Sequence, residues 1–540
     1  MIKIILKLMI VACCPLLWGQ HQTTTFTEPY IDGKIPYVVE IREVSLAPAA
    51  LPAIHSFATG EWDGQWVVLS GRTSGLHGMT GRDGFDPVFE NRDVWVINPT
   101  TKQSWKKSLE SSPASGLTQD EVDSLSGTNT EFYQDGETLI LVGGYGYKRS
   151  VSDHVTYDRI SAIDLPGLIS WVKAPAGTEV TRATDHIQQV IDSYFQVTGG
   201  ALEKIGDEYQ LIFGQNYRGR YRPHFNGIYT RQVRRFKTTN ANGIFAVPSA
   251  SKIATTPSDN YRRRDLNVVT VLERNGLNNF LEKALVLSGV FTPDDGAWTT
   301  PVVVGPGGNV TMSNPASPTT LKQGFQVYHN AKCTLFDRGS SESHTLLFGG
   351  LTVLELDPVS NTFVRDDQVP FTNQCSLVVR DSSSQLSQYW LPTRFPEIKT
   401  DGKEIRFGTN AEFYPAPGIP KLHHRVIDLT AIAAPTVIGH IFGGLIADAG
   451  NRGNTGASGR VFEVVLTPDV GEPDLGISQN PSPQLTWSAE TGRKDLIETS
   501  SDFEIWSEFA LPSDGTSFWP IPLDAEKAFF RRHSSAVTSP

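Results

Sequence analysis

Short segments of the chain combine arginine with tyrosine, and most of them follow an apolar strand that ends in glycine or serine. Guanidinium groups hold carboxylates and sulfates, and the flat Arg and Tyr groups suit sugar faces. The ligand-binding candidates are Arg72, His77, Tyr145, Tyr147, Tyr217, Arg220, Tyr221 and Arg263. We expect these side chains to meet on one face and to bind a carbohydrate or an anionic ligand.

A second candidate is the adjacent pair Tyr328 and His329, whose phenolate and imidazole groups both suit Cu(II). In a strand, neighbouring side chains point to opposite faces, so both reach one ion only near a bend. The alternative is that Tyr328 and His329 form a hydrogen-bonded pair inside a sheet and bind no metal. The sequence contains no Gly-x-Ser-x-Gly elbow, phosphate loop, His-Glu-x-x-His or Cys-x-x-Cys, so we predict no cofactor and favour a protein that is not an enzyme.

Six repeats must position these residues. A short apolar strand ending in a small residue recurs, and taking the first small residue of each copy gives positions 70, 143, 214, 288, 349 and 443. Polar turns such as Asp63-Gly64 and Asp135-Gly136 precede the strand and supply the positive φ of a tight hairpin. A third strand follows after a loop. Six such meanders predict a radial repeat that buries both faces of each sheet.

This pattern resembles the kelch-repeat β-propeller, and more narrowly a group of long-looped secreted bacterial kelch-type proteins. The small-residue pair resembles the kelch double glycine, although only three copies keep both glycines. The repeat is also longer than the roughly 50 residues typical of kelch. The resemblance implies an all-β fold, a six-bladed kelch-like propeller, whose post-glycine loops converge at one end of the ring.

Copper radical oxidases of the galactose-oxidase kind are also kelch propellers, and Tyr328-His329 resembles their Tyr-His ligand pair. That site also needs a further histidine and a cysteine cross-linked to a second tyrosine, and no cysteine here matches. A copper-dependent enzyme or a polysaccharide-acting propeller is therefore the alternative to a non-enzymatic binding protein. A second alternative is an adhesive or structural cell-surface protein with a protein partner.

The composition of the chain restricts which functional classes are possible. The chain has 540 residues, of which 39% are hydrophobic, and its net charge is −11. This balance argues against a nucleic-acid or anionic-membrane surface, since both need clustered positive charge. Four cysteines exclude a disulfide-framework protein. We expect a monomer whose partner is a carbohydrate or a protein.

The N-terminal residues 1–19 predict a secretory signal peptide, with Lys3 and Lys7 before an apolar stretch. That stretch is about 11 residues, too short to span a bilayer, and no later run predicts a transmembrane helix. We expect a secreted, periplasmic or outer-surface protein of the cell envelope. A bacterial lipoprotein box ending at Cys13 is the rival interpretation and would place a lipid on that cysteine.

The remaining boundaries follow from composition. Residues 20–468 form the predicted propeller, in which a strand near 37–46 completes the last blade. Residues 469–484, rich in Pro, Gly and Ser, predict a linker. Residues 485–540 predict a small β-sandwich-like module, similar to a fibronectin type III fragment. After export Cys333 and Cys375 remain, either as a disulfide or as two buried free thiols.

Overall fold

The fold is described from a computed structural model. Side chains and backbone are described for residues 26–27, 29–30, 35–76, 85–222, 225, 227–276, 279–293, 296–357, 359–423, 425–451 and 453–469, and the backbone alone for the strands beyond 469. Residues 1–19, predicted as a signal peptide and including Cys13, and residue His77 therefore lie outside the described part. Within the described residues, no helix is both long and apolar enough to cross a membrane.

Six antiparallel sheets, here called blades 1 to 6, make the chain an all-β propeller, which confirms the predicted architecture. In every blade the successive strands of the repeat lie side by side in chain order, and blades 5 and 6 also contain strands from elsewhere in the chain. The blade 1 strands are Ala58–Trp62, Gln65–Leu69, Asp93–Asn98 and Gln103–Ser108. The blade 2 strands are Glu131–Asp135, Thr138–Val142, Arg159–Asp164 and Ile187–Ile191. The blade 3 strands are Ala201–Ile205, Glu208–Ile212, Val233–Phe236 and Ile253–Ala254.

The other three blades follow the same plan. The blade 4 strands are Asn267–Arg274, Phe280–Leu287, Val302–Val304 and Val310–Met312. The blade 5 strands are Ala331–Asp337, Glu342–Leu351, Phe371–Arg380 and Leu386–Arg394, and the sheet is extended by Val426–Asp428 and Lys421–His423. The blade 6 strands are Ala411–Pro415, Thr436–Gly443 and Val461–Pro468, followed at the outer edge by the N-terminal strand Tyr37–Val44.

The hydrophobic core is divided among the interfaces between successive blades. Aliphatic side chains such as Val67 and Leu139 pack between blades 1 and 2, and Trp66 and Phe442 pack between blades 1 and 6. Two helices, Gln119–Leu125 and Leu165–Lys173, add to the interface of blades 1 and 2. Each blade thus buries its faces against its neighbours, as a radial repeat requires.

Short hairpins and single 3₁₀ turns fill the connections. The hairpin strands are Tyr145–Lys148 with Asp153–Thr156, Gln215–Asn216 with Ile228–Tyr229, Thr239–Ala241 with Ile244–Ala246, Leu354–Asp357 with Thr362–Arg365, Lys399–Thr400 with Lys403–Glu404, and Leu445–Ala447 with Thr455–Ala457. The 3₁₀ turns are Pro87–Phe89, Arg149–Val151, Ala183–Asp185, Ser193–Phe195, Ser249–Ser251, Asp259–Tyr261, Pro306–Gly308 and Leu429–Ala431.

The small-residue pair has one conformation in all six blades: two successive residues with positive φ. The pairs are Ser70–Gly71, Gly143–Gly144, Phe213–Gly214, Ser288–Gly289, Gly349–Gly350 and Gly443–Gly444. The second residue is always glycine, whereas the first position also accepts serine and phenylalanine. In blade 3 the pair begins at Phe213, one residue before the position that the sequence pattern indicates, because a phenylalanine replaces the first small residue.

Beyond Pro468 the described backbone forms two three-stranded antiparallel sheets. One holds Leu475–Ser478, Gln484–Trp487 and Phe518–Pro520, and the other holds Ser507–Phe509, Arg493–Ser500 and Phe529–Ala536. The strand Leu475–Ser478 lies inside the segment predicted as a linker, so regular pairing begins earlier than the Pro- and Gly-rich composition indicates.

Cys333 and Cys375 are both buried free thiols. They lie in blade 5 on two strands that flank a third, where Cys333 is opposite Leu346 and Cys375 is opposite Phe348. Two strand spacings amount to about 9.5 Å, more than a disulfide bridges. Of the two alternatives for these cysteines, the structure has free thiols. Burial raises the pKa of both, that of Cys375 to about 12.

Candidate functional site

A closed ring of six backbone hydrogen bonds surrounds the propeller axis. Each blade contributes the residue one or two positions before its first strand, and the N–H of that residue donates to the carbonyl of the preceding blade. The six bonds are Ser56 to Asn410 (3.2 Å), Asn129 to Ser56 (3.2 Å), Gly199 to Asn129 (3.2 Å), Asp265 to Gly199 (2.7 Å), His329 to Asp265 (2.9 Å) and Asn410 to His329 (2.9 Å). We call these six residues the axial ring.

Two cavities meet at the axial ring. One, here called the loop-face cavity, has a volume of about 60 Å³ and is lined by the segments before the first strands and by the post-glycine loops. The other, here called the axial channel, has a volume of about 530 Å³ and is lined by the first strands themselves. Ser56, Asn129, Gly199, Asp265 and Asn410 line both. The ring therefore lies between the two spaces.

Arg72 is the first cationic group of the loop-face cavity. It is 4% exposed, and its backbone pairs with His55 through two hydrogen bonds of 3.0 Å. Its guanidinium lies 4.9 Å from the centre of the Phe85 ring, and its Nη2 donates to the Asp86 carbonyl at 3.2 Å. Burial lowers the pKa of Arg72 to about 10, so the group stays cationic at neutral pH.

Arg264 supplies the second cation, next to the ring residue Asp265. Its Nη2 donates to the Tyr221 hydroxyl at 3.1 Å, and its Nε lies 3.3 Å from Asp265 Oδ2. Nε therefore forms an ion pair with Asp265, whereas Nη1 of this buried guanidinium has no acceptor among the described residues. Burial raises the pKa of Asp265, while Arg264 pulls it down. Arg264 thus keeps donor capacity that the protein does not use.

Four aromatic rings form a continuous wall of the same cavity. Phe85 contacts Tyr145 at 5.1 Å and Tyr221 at 5.4 Å, and Tyr217 contacts both tyrosines at 5.7 and 5.3 Å between ring centres. Tyr145 also donates to the Gly219 carbonyl at 2.7 Å. These contacts fix the rings, so the wall has a defined shape for a ligand.

The structure brings four of the predicted residues together: Arg72, Tyr145, Tyr217 and Tyr221 all line the loop-face cavity. Tyr147 and Arg220 do not line it. The Tyr147 N–H donates to Glu90 Oε1 at 2.7 Å and its ring contacts His154, while Arg220 is exposed. The remaining candidate, His77, lies outside the described residues.

Arg263 is placed away from the cavity, contrary to expectation. Its side chain is fully buried, and its guanidinium donates to the carbonyls of Asn260, Ser288 and Thr300 at 3.0, 3.2 and 2.8 Å. It also packs over the Trp298 ring at 4.7 Å. Burial lowers its pKa to about 9. Its neighbour Arg264 faces the cavity instead, because adjacent residues of an extended segment point to opposite sides.

The copper alternative requires Tyr328 and His329 to share one ion, and their positions do not fit it. Tyr328 lines the loop-face cavity, whereas His329 lines the axial channel on the other side of the ring. The thiol of Cys333 also faces the channel and is buried. Within the described part of the chain, no group of three or more His, Cys, Asp or Glu residues is arranged to hold a metal.

Several site residues carry no obvious signal in the sequence: His55, Phe85, Asn129, Arg264, Asp265 and Asn410. The ring positions are occupied by Ser, Asn, Gly, Asp, His and Asn, so no residue type is common to all six blades. Aligning the six repeats on their first strands would have identified the ring residues, because each of them lies just before that strand.

Comparisons with known proteins add little to this description. No protein-family model and no curated protein matches the sequence. Among solved structures, one reported as "Structure of YjhT" aligns with 78% of this chain and 100% of its own, at 9% sequence identity and a TM-score of 0.38.

Proposed function

We propose that this protein binds a small acidic carbohydrate and that the loop-face cavity holds the carboxylate of that ligand. The observation that carries the proposal is the convergence of Arg72 and Arg264 on one aromatic-walled cavity, with Nη1 of Arg264 left without an acceptor among the described residues. Planar guanidinium groups bind carboxylates through paired hydrogen bonds.

The size and charge of the cavity support the same ligand. A volume of about 60 Å³ suits a carboxylate, since one water occupies about 30 Å³ in the liquid. It does not hold a whole sugar ring, which would extend outward along the tyrosines. Arg72 and Arg264 outnumber the single lining carboxylate, Asp265, so the lining carries a net positive charge that attracts an anion.

The direct test is calorimetric titration of the full chain with glucuronate and, as the neutral match, glucose. We expect binding of glucuronate only, and about tenfold weaker binding after Arg264→Lys, which keeps the charge but removes the planar fork. Arg42→Gln, an exposed change on the outer strand of blade 6, is the control and keeps the wild-type affinity. Equal affinity for both sugars, or unchanged affinity in Arg264→Lys, contradicts the proposal.

We also propose that the protein is exported after cleavage behind Gly19. The support is the sequence of residues 1–19, with its lysines and short apolar stretch. Mass analysis of the protein from its native cells distinguishes the cases: a chain that begins at Gln20 supports export in soluble form, and a lipid on Cys13 supports an anchored form. An intact Met1 contradicts both.

A further inference from the structure

The axial channel is a second cavity that the proposed acid-binding site does not use. Its volume of about 530 Å³ lies within the range of small-molecule sites. The channel lies on the opposite side of the axial ring from Arg72 and Arg264. Its charged and histidine side chains are Glu61, Asp63, Glu131, Glu203, Asp265, His329, Lys332, Glu412, Lys421 and Arg425, of which Asp63 lies exposed in a turn.

Four channel carboxylates each have a cationic neighbour. Arg425 Nη1 lies 2.9 Å from Glu203 Oε1, and the Thr270 hydroxyl donates to the other oxygen of Glu203 at 3.1 Å. Burial raises the pKa of Glu412 to about 7 against the pull of Lys332 and Arg425. Burial likewise raises the pKa of Glu61, and Lys421 opposes it. Asp265 is neutralised by Arg264 on the other side of the ring.

Among the described residues, Glu131 is the buried channel carboxylate that has no cationic neighbour. It is 3% exposed, and its Oε1 accepts from the Gly200 N–H at 2.7 Å. Its Oε2 is buried and has no hydrogen-bond partner among the described residues. The backbone N–H groups of Glu131 itself and of Gly144 also favour its ionised form, but the charged group that acts on it is Asp265, another acid. A buried polar atom without a partner is costly, and an unpaired carboxylate more so.

The channel wall also offers apolar surface. Trp62, Phe132 and Phe413 are half-buried and line the channel together with Glu131. Such rings cover the carbon face of a ligand, while a carboxylate takes a hydrogen bond from its polar end. A ligand that complements both the aromatic rings and the Glu131 carboxylate has one donor-rich cationic group on a compact carbon frame.

We propose that the axial channel binds an amino sugar, whose single protonated amine donates a hydrogen bond to Glu131 Oε2. The amine balances the one buried channel carboxylate that lacks a cationic neighbour among the described residues, and the sugar ring lies against the aromatic side chains. This site is separate from the loop-face cavity, so it stands whether or not the protein binds glucuronate.

The test is calorimetric titration of the full chain with glucosamine and with N-acetylglucosamine, which has the same ring but no charge. We expect glucosamine to bind at least tenfold more tightly, and Glu131→Gln, which keeps the shape of the side chain, to abolish that preference. Glu43→Gln, a half-exposed carboxylate paired with Arg460 on the outer edge of blade 6, is the matched control. No preference in the wild type, or a preference kept in Glu131→Gln, overturns the proposal.

A second measurement needs no variant. Burial raises the pKa of Glu131 to about 8, so the free protein holds a proton on this carboxyl at pH 6. An ammonium group that binds Oε2 of the ionised carboxylate must displace that proton. Titration with glucosamine at pH 6 in two buffers of different ionisation enthalpy should therefore show release of about one proton per amine bound. Binding without proton release overturns the assignment to Glu131.

Discussion

Asn129 and Asp265 belong to blades 2 and 4, yet the Asn129 amide Nδ2 donates to Asp265 Oδ1 at 2.7 Å. Gly199 of blade 3 lies between them in the axial ring. A Cβ atom at Gly199 would come within 3.0 Å of Asp265 Oδ1. Because glycine has no Cβ, the two side chains have space to contact each other at this position. A glycine in blade 3 thus permits a hydrogen bond between residues of blades 2 and 4.

Loss of this contact should destabilise the propeller. Asn129→Ala removes one of the two side-chain donors to the buried Asp265 carboxylate and places an alanine at a φ of 48°, so we expect the free energy of unfolding to fall by about 1–3 kcal/mol. Urea denaturation followed by tryptophan fluorescence measures the change. Asn240→Ala, on an exposed hairpin strand, is the control and should stay within about 0.5 kcal/mol of wild type. Equal stability of both variants would mean that the amide contributes nothing.

The paired positive-φ residues allow a matched test of close approach between blades. Gly143 and Gly136 have nearly the same φ, 62° and 61°, but a Cβ at Gly143 would lie 1.9 Å from the Val197 carbonyl oxygen. A Cβ at Gly136 meets no atom within 4 Å among the described residues. We expect Gly136→Ala to cost about 1–2 kcal/mol from the left-handed conformation alone.

Gly143→Ala should cost at least about 1–3 kcal/mol more, because the carbonyl must move. Thermal and urea unfolding of the two alanine variants, compared directly, measures the difference. Similar losses in both would show that conformation, rather than contact with the next blade, determines the glycine at this position.

The fold follows from the sequence because its signal is local and repeated. An apolar strand followed by a glycine with positive φ occurs six times, and each copy dictates the same turn. The site is harder to predict because its residues come together through six-fold closure. Arg263 and Arg264 illustrate this difficulty. They are adjacent arginines in one extended segment, where successive side chains point to opposite sides, so the first is buried in the blade and the second faces the cavity. The pair Phe213–Gly214 likewise lies one residue earlier than the sequence pattern predicts, because phenylalanine occupies its first position.

The hydroxyl of Tyr221 should contribute to ligand binding through Arg264. Tyr221→Phe removes the acceptor at 3.1 Å from Arg264 Nη2, which leaves the guanidinium less firmly oriented toward a carboxylate. We expect about three- to tenfold weaker binding of glucuronate, equivalent to about 0.6–1.4 kcal/mol. Calorimetric titration measures the affinity. Tyr261→Phe is the control, because that ring stacks on Phe213 and lies outside the loop-face cavity; an equal loss in both would point to a general effect on folding.

The two buried thiols should be unreactive in the native protein. Burial raises the pKa of Cys333 and Cys375 and blocks access, and the thiolate is the reactive form. With protein lacking residues 1–19, DTNB should release almost no colour before unfolding and should titrate both thiols in guanidinium chloride without reductant. Unfolded protein that still gives no reaction would indicate a disulfide and would contradict the arrangement of blade 5.

The unpaired carboxyl of Glu131 should make the stability of the ligand-free protein depend on pH. Burial raises its pKa from the ordinary 4.5 to about 8, so the folded state binds a proton that the unfolded state has lost across this range. Stability is therefore greatest below about pH 4.5 for this group and falls as the pH rises toward 8. The carboxyl of Glu412, with a pKa near 7, acts in the same direction but is largely ionised above that value.

The contribution of Glu131 can therefore be isolated between pH 7 and 8. There we expect the wild type to lose up to about 1 kcal/mol of unfolding free energy and Glu131→Gln to lose less, because glutamine does not titrate. Urea denaturation of both proteins at the two pH values measures this, with Glu43→Gln as the control that follows the wild type. If the unfolding free energies of the wild type and Glu131→Gln change equally between pH 7 and 8, Glu131 is already ionised in the folded channel. Its charge would then need a cation that remains bound over this pH range.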